Sequence, residues 1–123
     1  MKRTKAELEA IARDGQHCRR CGRFIRDDMP YSVHHRLRRS AGTKAEVDQV
    51  ANLVLVCGTG TSPHCHSWIH SHPDESFNDG WLIRRGDDLP EKIPLAQASG
   101  RWFWLTEDGG VIYADTTVPR LHL

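Results

Sequence analysis

Four cysteines and a set of histidines are the residues of this chain whose types and spacing could do chemistry. Cys18 and Cys21 flank two residues in "CRRCGRFI", and a further seven-residue gap separates Cys57 from Cys65. Two pairs of soft ligands brought from separate loops suit a tetrahedral Zn²⁺ with no open position, a structural site. A redox Cys-x-x-Cys or a set of unlinked buried cysteines is the alternative. The redox reading is weakened by the lack of a thioredoxin-like strand and helix around Cys18. His64 adjoins Cys65 and competes with it as fourth ligand, so Cys18, Cys21 and Cys57 form the firmer part of the knot.

The histidines form a second group. His34 and His35 are adjacent in "YSVHHRL", and His66 and His70 stand four apart in "CHSWIH", a spacing that puts both on one face of a helix. A single histidine is most often a hydrogen-bonded core residue. Four of them, on segments that the zinc knot would draw together, point instead to a second metal site. Hydrolysis of a phosphodiester needs a nucleophilic water, a cation for the phosphate and leaving oxygen, and a base near its working pH. Imidazole serves as both ligand and base. Adjacent strand residues face opposite ways, so His34 and His35 divide these roles, provided the strand bends or ends there. His17 and His72 are left as surface or structural residues.

The elements that must position these side chains are short. Thr4 and Glu7 make a capping box for a helix over residues 4–14, with Leu8, Ile11 and Ala12 on its apolar face and Gly15 at its end. "YSVHHRL" and "NLVLVC" read as strands joined by a polar loop. If Pro63 starts the next helix, Cys65 lies in its first turn, and Pro73 ends it. "PDESFND" reads as a further helix, and "GWLIRR" and "RWFWLTEDGGVIYA" as two or three strands with a turn at "EDGG".

The order Cys-x2-Cys, "VHHR", "NLVLVC", "CHSWIH" resembles the His-Asn-His (HNH) nucleases, above all the small stand-alone endonucleases of phages and actinobacterial genomes. The resemblance spans residues 15–73. It implies an α+β fold: a ββα-metal core with a structural zinc knot, an N-terminal helix and, over 74–123, a C-terminal helix and β-rich extension, all in a single domain 1–123. It assigns His34 as the first metal ligand, His35 as the general base, and Asn52 as the residue that braces the loop between the strands. His66 becomes the second metal ligand, and His70 an additional histidine for metal or phosphate. For the catalytic ion it favours Mg²⁺ or Mn²⁺, with Ni²⁺ or Zn²⁺ compatible. The Cys57 to Cys65 gap departs from relatives, where two residues are common, and would have to be absorbed by Gly58, Gly60 and the threonines as an excursion away from the metal.

A net charge of only +1 hides an uneven distribution: Cys18 to Lys44 holds eight Arg or Lys against two Asp, while Asp74 to Pro94 holds six acidic residues against three basic. Such polarity presents a basic face to a polyanion such as DNA. Arg36, Arg38 and Arg39 adjoin the expected base and would hold the scissile phosphate or its neighbours, with Arg19, Arg20 and Arg23 extending the track. No base-reading module is visible. Trp81, Trp102, Phe103, Trp104 and Tyr113 read as added core, with partner docking or base stacking as the alternative.

No secretory signal or membrane span is legible, and four cysteines at metal-binding spacing suit a reducing cytosol, so the expected setting is the cytoplasm of a bacterial cell, with a phage-borne gene as one origin. Expected partners are DNA and, in a packaging role, a phage terminase or other DNA-processing protein; restriction and homing are the other settings. A non-catalytic zinc module that binds nucleic acid or protein is the rival reading.

Overall fold

The computed structural model describes residues 2–114 and shows a mixed α+β protein. Helix α1 (Lys5–Asp14) is closed at its start by the Thr4 and Glu7 capping box and at its end by Gly15 in the left-handed region. Its buried face differs from the sequence expectation. Leu8 is exposed and Ala12 lies outside, while Ala10, Glu7 and Asp14 turn inward. Small Ala10 lets the helix lie close on Val50 and Leu53. Asp14 then reaches Leu55 N at 2.9 Å and ion-pairs with Arg13 and Arg19, so the inward face is held largely by polar contacts.

Strand β1 (Tyr31–His35) pairs antiparallel with β2 (Leu53–Cys57), in a register that sets His34 opposite Val54 and His35 opposite Leu53. The intervening loop carries a short helix, α2 (Lys44–Val47), with its own Thr43 and Glu46 capping box. Every residue of β2 is buried, as its unbroken apolar run demands. The strand is covered on one side by α1 and on the other by α3 (Cys65–Ser71). That helix starts at Cys65 with His64 as its N-cap residue, so Pro63 lies outside it.

Helix α4 (Pro73–Asn78) follows, with Pro73 in its first turn. "GWLIRR" does not form a strand. Trp81 is instead buried as a core plug, its Nε1 donating to Ala96 O at 2.8 Å, and only Ile83 bridges to Leu37. Gly80 permits this path: its φ is +81°, and a Cβ there would lie 2.0 Å from Pro94 O. A second sheet, β3 (Leu95–Ala96), β4 (Trp102–Leu105) and β5 (Val111–Tyr113), is antiparallel and closed by the expected turn at residues 106–110. Phe103 and Leu105 join Trp81, Val54, Val56 and Ile69 in one apolar cluster that unites both halves of the chain. Each such large side chain contributes about 1.5–3 kcal/mol of burial. Positions 115–123 of the expected extension lie outside the described residues. Among the described residues no helix is long and apolar enough to cross a membrane.

Candidate metal centres

The ligand atoms of Cys18, Cys21, Cys57 and Cys65 lie within 4.8 Å of one another. Cys18 and Cys21 come from the turn after α1, Cys57 from the end of β2 and Cys65 from the first turn of α3. The Sγ atoms of Cys21 and Cys57 are 3.8 Å apart. That is the edge of a tetrahedron with Zn–S bonds of about 2.3 Å, and far longer than an S–S bond of about 2.05 Å. The four cysteines therefore form a cluster that could hold zinc. The structure gathers Cys65, and not His64, with the other three sulfurs.

The long gap before Cys65 is absorbed close to the knot. Gly58 turns the chain at φ +83°, where a Cβ would lie 2.4 Å from that of His64, and Ser62 Oγ accepts from Thr59 N at 2.7 Å to close the loop on itself. Arg20 caps the cluster. Its Nη1 donates to Cys65 Sγ at 3.5 Å, and its guanidinium lies 3.7 Å over Trp68, whose other partner is the stacked ring of His72. Arg20 is thus withdrawn from the expected phosphate track. So is Arg19, which bonds Asp14, Arg13 O and the Tyr113 hydroxyl.

A second convergence brings the ligand atoms of His34, His66 and His70 within 4.8 Å. His34 is buried in β1, and its Nε2 must be the donor to Trp81 O at 2.6 Å, because a carbonyl only accepts. Its Nδ1 lone pair is left as the ligand atom. Ser32 Oγ gives its proton to Gly58 O at 2.7 Å, so at 3.1 Å it accepts from His66 Nδ1–H, which leaves a lone pair on His66 Nε2. That atom lies 3.2 Å from His70 Nε2. Two tetrahedral ligands at about 2.0–2.1 Å from one ion would be about 3.3 Å apart, so this donor set fits a shared cation. Burial lowers the pKa of all three rings, that of His34 to about 3, with Trp81 O opposing the shift. They are neutral at pH 7, as ligation requires.

No protein family, curated protein or solved structure matches this chain.

β1 ends at His35, the condition on which the two adjacent histidines could divide their roles. The His35 side chain is only 10% exposed, and its Nε2 lies 3.5 Å from Asp48 Oδ1 without a hydrogen bond. Burial, then Arg39, lower its pKa, against the pull of Asp48. Asn52 is wholly buried and braces the loop from within. Its side chain accepts from Leu37 N at 2.7 Å and donates to Leu37 O at 3.1 Å and Val47 O at 2.9 Å.

Arg36 corrects the sequence reading. It is fully buried, and its guanidinium donates to Gly80 O, Ala51 O, Pro90 O and Ile93 O at 2.6–3.0 Å. With four carbonyls occupying its donors, it is a clamp and not a phosphate ligand. Burial lowers its pKa to about 9, which leaves it charged at neutral pH. Its position was readable from β1: in an alternating strand, Arg36 lies on the inward side with His34. The same alternation marks Ser32, the partner of His66, which the sequence reading passed over. Asp48, inside a polar loop, carried no such signal.

Arg38 and Arg39 do stay exposed and make no ion pair among the described residues. Arg38 lies close enough to His70, and Arg39 to His35, to lower each ring's pKa. The C-terminal aromatics are divided between core and surface: Trp81 and Phe103 are fully buried, Trp102 and Trp104 partly so, and Tyr113 is exposed beneath Arg101.

Proposed function

We propose that this protein is a metal-dependent endonuclease that hydrolyses DNA phosphodiester bonds on a ββα-metal core of the His-Asn-His type. The observation that carries the reading is the convergence of His34, His66 and His70, with the outer nitrogens of two of them already committed to Trp81 O and Ser32 Oγ. A divalent cation held by these three would supply positive charge to the phosphate and its leaving oxygen. Three neutral imidazoles match Zn²⁺, Ni²⁺ or Mn²⁺ better than Mg²⁺, which prefers oxygen ligands and keeps its waters.

His35 removes the proton from the attacking water. Burial keeps its ring neutral and ready to accept, and Asp48 stabilises the ring once it is protonated. Asn52 holds the loop that carries Asp48, Arg38 and Arg39, so its role is positional. Arg38, beside His70, and Arg39, beside His35, hold the phosphate from the two sides of the strand end. The cysteine knot, bound to zinc, joins the end of β2 to the start of α3 and so fixes His66 and His70 relative to His34.

The test is nicking of supercoiled plasmid by wild type and His35→Ala in matched preparations, with Mg²⁺, Mn²⁺, Ni²⁺ or Zn²⁺ restored after chelation. The expected result is metal-dependent nicking in wild type, reduced about 10²–10⁴-fold in the variant with its cysteine-bound metal intact. Equal activity in both removes His35 as the base. Activity in neither, at one zinc per chain, favours the non-catalytic zinc module.

A further inference from the structure

Beside the His35 and Asp48 pair lies a cleft of about 620 Å³ that extends past the residues the proposed hydrolysis uses. One wall is the segment leading into α1, with Lys2, Arg3 and Glu7; the other is the β1–β2 loop, with Arg39, Lys44 and Asp48. Both acids are already engaged. Glu7 closes the helix cap and pairs with Arg3 at 3.5 Å, and Asp48 pairs with Lys44 at 3.3 Å while facing His35. Arg39 stands near enough to Glu7 to help lower that carboxyl's pKa, after the Thr4 cap and Arg3. The lining still carries four cations, Lys2, Arg3, Arg39 and Lys44, against two acids, Glu7 and Asp48, and Lys2 makes no ion pair among the described residues.

We propose that this cleft binds backbone phosphates of the DNA strand flanking the bond to be cut, with Lys2 as a phosphate contact outside the reacting centre, continuing from Arg39. The inference rests on the nuclease reading and extends it by giving the strand a path. The strand passes the metal triad at Arg38, crosses the end of β1 at His35, and continues between α1 and α2. A small anion would need an enclosed site with several donors on one atom. This cleft is open, its cations are divided between the segment before α1 and the β1–β2 loop, and it shares the Asp48 wall with the base. Those features suit a chain of phosphates, each neutralised singly. The contacts would add affinity and register without sequence preference.

The experiment compares wild type, Lys2→Gln and a charge-matched control, Arg84→Gln, whose side chain lies outside the cleft. Lys2 is exposed, so the variant retains its fold. Binding of a labelled 20-base-pair duplex is measured across a salt series without added divalent metal, and hydrolysis of bis(4-nitrophenyl) phosphate is measured with metal. The cleft variant is expected to bind DNA about fivefold or more weakly at low salt. Its slope of log K against log salt should be shallower by about 0.9 for each phosphate that is no longer neutralised. Its turnover of the small diester, which is too short to reach the cleft, should be unchanged. An unaltered affinity and slope, or an equal weakening in the control, overturns the cleft assignment while leaving the nuclease reading in place. Weakened DNA binding in a protein that hydrolyses neither substrate supports the cleft and overturns the nuclease reading.

Discussion

Arg36 shows how one residue can change meaning between sequence and structure. Read among its neighbours it belongs to an arginine track; in the fold it ties Ala51, beside β2, to Gly80, Pro90 and Ile93 of the C-terminal half. An arginine suits this position because a rigid fork can serve several carbonyls at once, which the ammonium of lysine cannot do with the same geometry. Arg36→Met keeps the apolar stem and strips the donors, leaving buried carbonyls without partners. Its expected cost is about 3–5 kcal/mol, read from the urea midpoint. Per folded molecule, DNA cleavage should be preserved. A variant with normal stability and no cleavage would return Arg36 to the phosphate.

At the scale of elements, the loop between β1 and β2 is long, polar and held by a buried side chain. Asn52 satisfies three backbone groups at once, on Leu37 and Val47. Asn52→Ala orphans them, at about 1–3 kcal/mol for each group left buried. The expected signature is faster amide hydrogen exchange at Leu37, together with loss of cleavage through misplaced Asp48 and Arg39. Unchanged exchange at Leu37 would show that the loop is held by other means.

These elements also show what a sequence can and cannot display. Local rules were legible: the capping box of Thr4 and Glu7 rests on residues three apart, and the Cys-x2-Cys turn and the four-residue step from His66 to His70 have fixed geometry; the second box, of Thr43 and Glu46, obeys the same rule and went unread inside a polar loop. Contacts between distant segments were not. The partner of His34 is a backbone carbonyl at Trp81, which has no side-chain signature, and the strand expected at "GWLIRR" gave way because burying the Trp81 indole outweighed a ladder. In α1 the apolar stripe misled for a similar reason: close approach to β2 selects the small Ala10, and Leu8 is left outside.

For the whole molecule, the two candidate metal centres should separate by chemistry. Burial raises the Cys57 thiol to about 11, and a hydrogen bond with Cys65, then burial, raise that of Cys18, so both are protonated at neutral pH without metal. Binding zinc at the knot must expel at least those two protons. The imidazoles of the triad, with pKa values lowered below the usual 6.5, carry no second proton at pH 7 and release none on binding; as pH falls through their lowered values, protons displace the metal. Calorimetry in two buffers of different ionisation enthalpy checks this directly. Mild chelation should empty the triad with the thermal midpoint nearly unchanged, whereas stripping the knot should unfold the chain. Two sites with identical proton release would contradict the assignment.

The bond from His34 to Trp81 O has a consequence for how such a protein could change over generations. The carbonyl that selects the ligand-ready tautomer of a β1 histidine belongs to a segment beyond α4, so the segment with the histidine cluster and its appended half do not form separable parts. A shuffled gene that kept residues 15–73 and acquired a new tail would inherit all three imidazoles, yet the proton on His34 would no longer have an assigned place. Variation in this lineage should therefore accumulate in the exposed loops, with the join between the halves passed on whole.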